Sequence, residues 1–132
     1  MQCKVFYESW QMECCGTPFC VGDMIKWPVY TTTEKKWPDY IGEIEYCYEA
    51  HSSDLENISV LEGKVGAIKV LYETYAPSGD EPRLLVPVDG VTVPTKTAKG
   101  FEKYNNMNAS GYIVELNGYA IRPAKAEDMI YW

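Results

Sequence analysis

Apolar and polar side chains alternate with period two through much of this chain, in runs cut by glycine, proline and Asn/Asp-Gly pairs. Such alternation places one set of side chains on each face of a strand. Tyr112-Ile113-Val114-Glu115-Leu116 and Tyr119-Ala120-Ile121-Arg122 flank Asn117-Gly118, a pairing that predicts a hairpin. Earlier, Val5 and Tyr7 alternate with Phe6 and Glu8, and Ile25 and Trp27 share one face after a Gly22-Asp23 bend. Ile58 and Val60 precede a predicted Glu62-Gly63 turn, and Lys64 to Glu73 follows as a strand. The segment 76–82 reads as a hairpin-type loop, Leu84 to Val88 as a strand, and Asp89-Gly90 as a tight turn before Val91-Thr92-Val93. Eleven Tyr, four Trp and three Phe suit a pleated, half-buried surface, while eight Pro and ten Gly imply short strands and many turns.

Two stretches break the alternation. From Pro94 to Gly111 the chain is polar and without period, which predicts a long loop, and loops of that length are commonly functional. From Trp37 to His51, Trp37, Tyr40, Ile41, Ile44, Cys47, Tyr48 and His51 fall on one face at helical spacing. Ile44, Tyr46 and Tyr48 also alternate as a strand would, but the length of the segment favours a helix near 38–51, against the cost of Gly42. The tail through Met129, Ile130, Tyr131 and Trp132 is expected to dock. The whole, residues 1–132, reads as a single domain: mainly β, a small barrel or strongly bent antiparallel sheet with one inserted helix, SH3-like in pattern.

A formal net charge of −7 argues against nucleic-acid and membrane-surface roles, since both phosphate backbones and anionic lipids would be repelled. No apolar run approaches a membrane span or a secretory h-region. Five cysteines, an odd count without an export signal, lead to the expectation of a cytoplasmic protein with free thiols.

The longest local signature is Trp10-Gln11-Met12-Glu13-Cys14-Cys15-Gly16-Thr17-Pro18-Phe19, continuing to Val21-Gly22-Asp23. It resembles the opening Trp-x-Met-x-Cys-Cys-Gly-x-Pro-Phe-x-Val-Gly-Asp of a family of small bacterial proteins of unknown function. Glu49-Ala50-His51 and Gly111-Tyr112-Ile113-Val114 are similar to later segments of that family. Its members tend to carry a second histidine beside the position of His51, where this chain has Ser52. The resemblance implies no activity, cofactor or catalytic residue.

Read from the residues, two functions compete. The first is a non-catalytic binding module that takes a protein or peptide partner along exposed aromatics, with Trp10, Trp37 and Tyr40 as the candidate surface, or along the 94–111 loop. The second is a zinc-binding or thiol-dependent protein. On a helix, Cys47 and His51 would stand at i and i+4, and Cys14 and Cys15 could add thiolates. The same residues could form a Cys–His nucleophile pair, because His51 is the sole imidazole available as a base. The plainer alternative is that these thiols are small buried hydrophobes and the aromatics are core. No phosphate loop, nucleophile elbow or His-Glu-x-x-His is present, so the reading leans away from an enzyme.

Overall fold

The computed structural model describes residues 1–32, 36–50 and 56–131, with side chains described up to residue 128. Its strands are β1 (Gln2–Glu8), β2 (Phe19–Cys20), β3 (Met24–Thr31), β4 (Tyr46–Tyr48), β5 (Ser59–Pro77), β6 (Leu85–Thr95), β7 (Thr97–Ala98), β8 (Lys103–Tyr104) and β9 (Met107–Pro123). One short helix, α1 (Ser9–Cys14), follows β1, and a 3-10 turn covers Ala126–Tyr131. Seven strands form one sheet in the order β6-β5-β3-β4-β1-β9-β8, and β5 also pairs with β9. That extra pairing closes a ring of hydrogen-bonded strands, β5-β3-β4-β1-β9. Expectation and structure therefore agree on a mainly β domain wrapped on itself. The sheet is mixed rather than wholly antiparallel, because β1 runs parallel to β4.

The wrapping depends on long, bent strands. β5 runs for 19 residues and β9 for 17. Along one edge of β5, β3 is paired from Ser59 to Lys64 and β6 takes over from Ile68; β9 lines the other edge. Three of the turns expected from sequence are not turns. Glu62-Gly63 lies inside β5, Asp89-Gly90 inside β6 and Asn117-Gly118 inside β9. The ladder between β5 and β9 skips Gly63 and Gly66, which interrupt the register between Glu62 and Lys64 and between Val65 and Ala67. A glycine bulge bends a strand and increases its twist, as closing a ring of few strands requires. Gly118 adopts φ 56°, the left-handed region, and bends β9 without reversing it.

Inside the ring, alternate residues of each strand form the main core: Cys3, Val5 and Tyr7 from β1, Val65, Ile68 and Val70 from β5, and Tyr112, Val114 and Leu116 from β9. A second, smaller core lies on the outer face, where Ile41 and Ile44 cover Leu71 and Ile113, with Phe6, Trp37 and Tyr40 packed around them. These covering residues are the apolar face read as helical, yet the segment is a loop and a short strand. Its single turn, with the Ile41 and Gly42 N–H groups donating to the Pro38 carbonyl, ends at Gly42 with φ 83°. Beyond it the Glu45 N–H donates to the Lys4 carbonyl, while the Lys4 N–H donates to the Glu45 carboxylate, which draws the chain into β4 beside β1. Tertiary pairing with β1 and β3 overrides the helical spacing. The expected docking of the tail through Met129, Ile130, Tyr131 and Trp132 lies outside the described side chains.

Candidate functional site

The segment that carries the sequence signature folds as a unit against one end of the ring. β1 leads into α1, whose buried face consists of Ser9, Gln11 and Met12. Ser9 Oγ donates to the Ala109 carbonyl (2.7 Å), anchoring the helix to β9. Gln11 is nearly inaccessible, and both ends of its amide are used: Nε2 donates to the Tyr48 carbonyl (3.1 Å) and Oε1 accepts from the Ala50 N–H (3.2 Å). A buried amide with both ends satisfied fixes α1 to the exit of β4.

Beneath α1 lies an aromatic cluster centred on Tyr7. Its ring stacks on Tyr48 at 3.9 Å between centroids and meets Trp27 edge-on at 5.4 Å, with Phe19 at 5.7 Å and Tyr112 at 6.2 Å. Burial, then the contact with Tyr48, pushes the Tyr7 phenol well above its ordinary ionisation range, so it stays neutral. Gly16 closes the top of this cluster, and a Cβ built there would lie 2.4 Å from the Tyr7 hydroxyl.

The helix ends at the paired cysteines. Cys14 and Cys15 are joined by a disulfide, and both residues are exposed. This corrects the expectation of free thiols at these positions: the turn after α1 brings adjacent sulfurs together. The Cys15 N–H donates to the Gln11 carbonyl (3.1 Å), and the Gly16 N–H reaches both the Gln11 (2.9 Å) and Met12 (3.3 Å) carbonyls.

Of the two remaining metal candidates, the structure describes Cys47. Cys47 is buried on β4, in a strand and not on a helix, and contacts the Tyr30 phenol; burial first, then this contact, raises the phenol's pKa. His51 lies outside the described residues. Sulfurs bonded to each other are not thiolate ligands, and among the described residues no group of three or more His, Cys, Asp or Glu is placed to hold a metal ion. Of the other cysteines, Cys20 is exposed, with its sulfur 3.4 Å from Thr97 Oγ1, while Cys3 is buried. Burial, reinforced by Glu45, pushes the Cys3 thiol up to about 12. The folded state thus holds the Cys3 proton more tightly than the unfolded chain does, so this group's contribution to stability is lost as pH rises from about 9 towards 12. At pH 9, iodoacetamide is expected to alkylate Cys20 and leave Cys3 untouched in the folded protein. Equal labelling of both in a peptide map would contradict the burial of Cys3.

Of the three aromatics expected to form a partner surface, Trp10 is exposed, and Trp37 and Tyr40 are half-buried. Trp37 packs on Phe6 at 5.2 Å in the outer core, and the Tyr40 hydroxyl donates to Glu73 Oε2 (2.6 Å) with its ring against Gly90. Trp10 remains 47% exposed, its indole N–H donating to Glu8 Oε2 (2.9 Å). The sequence reading did not single out Phe101, which is 71% exposed. Phe101 adopts φ 62°, directly after Gly100 at φ 88°. The surrounding backbone is pinned. The Phe101 N–H donates to Glu13 Oε2 (3.2 Å), the Gly100 N–H to the Tyr112 hydroxyl (3.0 Å), and the Lys99 N–H to Glu102 Oε2 (3.0 Å). The Tyr112 hydroxyl donates in turn to Glu102 Oε1 (2.5 Å). The one signal for Phe101 in the sequence is a lone large apolar residue after glycine in an otherwise polar stretch.

Trp10, Glu13 and Cys14 share one face of α1, and Glu13 ties that face to Phe101. A family model described as a family of unknown function (DUF6578) matches residues 1–118. The chain belongs to that family. The DUF6578 match takes in α1, the disulfide, the aromatic cluster and the Phe101 loop, and it ends at the bend of β9. No curated protein and no solved structure matches the chain. None of the described helices is long and apolar enough to cross a membrane.

Proposed function

We propose that this protein is a non-catalytic binding module that engages a protein or peptide partner through Trp10 and Phe101. One observation carries the reading: a phenylalanine held in left-handed backbone with its ring turned to solvent. A non-glycine residue in that conformation costs about 1–2 kcal/mol, and an exposed ring returns no burial energy to offset it. Such strain persists where the surroundings enforce it, and here four hydrogen bonds around residues 99–102 do so. Large, stiff aromatics beside a helix end also supply contact area at low entropic cost, the property found in binding hot spots.

The reading separates binding from stability. Phe101→Gly relieves the backbone strain but adds unfolded-state entropy, so stability is expected to stay level or rise by up to about 1 kcal/mol. Partner retention is nevertheless expected to be lost. The check is quantitative capture from cell extract on immobilised wild-type, Phe101→Gly and Trp10→Ala proteins, with denaturant melts run in parallel. Equal recovery of the same proteins on all three would remove Trp10 and Phe101 as the contact surface.

A further inference from the structure

We infer that Cys14–Cys15 is a reversible two-electron redox site that exchanges its disulfide with an external dithiol. Three observations lead to it, and none depends on the binding reading. First, the bond is not a staple. A disulfide stabilises a fold chiefly by closing a loop in the unfolded chain, and a bond between adjacent residues closes none. Second, it is accessible, as is the free thiol Cys20 but not the other two cysteines. Cys3 and Cys47 are buried, whereas both members of the pair are exposed at the C-terminal end of α1, within reach of an attacking thiolate. Third, the pair is held on a fixed mount. Backbone bonds from Cys15 and Gly16 to the Gln11 and Met12 carbonyls fix the turn, and Gly16 sits directly on the Tyr7 hydroxyl. The two sulfurs therefore stay side by side when the bond between them is opened, poised to re-form it.

The exchange balances as follows. A thiolate of the external dithiol attacks one sulfur of the pair; the S–S bond breaks, and the leaving sulfur takes a proton. The mixed disulfide so formed is resolved by the dithiol's second thiolate, which releases the other cysteine as a thiol. The pair gains two electrons and two protons, and the external dithiol becomes a disulfide. The reverse reaction, with a disulfide as oxidant, restores the bond. The opened pair offers two neighbouring thiols, the arrangement a trivalent arsenical bridges.

The test is thiol counting on the full chain. In protein quenched with acid and then alkylated under denaturing conditions, three cysteines are expected to be modified before reduction and all five after it. Under native conditions, dithiothreitol is expected to open the Cys14–Cys15 bond with the far-UV and near-UV spectra retained. The reduced protein should then take up phenylarsine oxide one to one, and oxidised glutathione should close the bond again. Cys14→Ser and Cys15→Ser should each abolish arsenical uptake, while Cys20→Ser should not. Reduction that occurs only in denaturant, or a reduced pair that glutathione disulfide caps without closing, would overturn the inference. The capture experiment above is run with the bond intact, so failure of the binding surface and failure of the redox site are read separately.

Discussion

Replacing Tyr7 with alanine is expected to remove about 3–5 kcal/mol of stability, the range for truncating a large buried aromatic. Domains of this size are stable by only about 5–15 kcal/mol, so the variant should be marginally folded at room temperature. The upper part of the range applies because of how the void would be lined. Tyr7 is 1% exposed, and the rings around it come from four separate places: Phe19 on β2, Trp27 on β3, Tyr48 on β4 and Tyr112 on β9. Stiff rings anchored on different strands cannot collapse into the space, and each lost aromatic pair adds to the lost burial. β1 also holds the ring of strands together, since it bridges β9 and β4. Urea denaturation followed by tryptophan fluorescence measures the loss. A change below about 1.5 kcal/mol would mean that the cluster is not the keystone its geometry implies.

The same cluster shows which parts of the structure could be read from the sequence. Alternation identified Val5 and Tyr7, Ile25 and Trp27, and the runs around residues 64–73 and 112–116 as strands, because side-chain period is a local property. The mainly β class followed from it. What alternation could not give was the role of the glycines. Asn117-Gly118 and Glu62-Gly63 carry turn chemistry, yet they mark where two long strands bulge and bend together. Whether a glycine reverses a strand or bends it is decided by the partner across the ladder, and the partner is distant in sequence. Ile41 and Ile44 were correctly placed on one apolar face with Trp37 and Tyr40, but the face is made by a loop laid over β5 and β9. At the candidate site, Cys14, Cys15 and Trp10 stood out through the signature, and Phe101 did not. Its importance arises from an exposed ring on left-handed backbone, a property without a periodic trace.

Substituting Gly16 by alanine is expected to cost about 1–3 kcal/mol, the usual penalty for overpacking a well-filled core. The added methyl would stand 2.4 Å from the Tyr7 hydroxyl and 2.8 Å from Met12 Cα, and neither can retreat easily. The Tyr7 ring is stacked and buried, and Met12 Cα belongs to α1, which Ser9 and Gln11 anchor. Tyr7→Phe alone removes the hydroxyl and its polar contact with Tyr48, a loss of about 1 kcal/mol. In the double variant, however, the shortest clash has gone and only the two backbone contacts, with Met12 Cα and the Gln11 carbonyl oxygen, remain. The two losses should therefore not add: the double variant is expected to be more stable than their sum by about 0.5–2 kcal/mol, within the range seen for residues in contact. If the losses add to within about 0.3–0.5 kcal/mol, Gly16 does not rest on Tyr7. Coupling of the expected sign would establish that the turn carrying the disulfide is seated on the core.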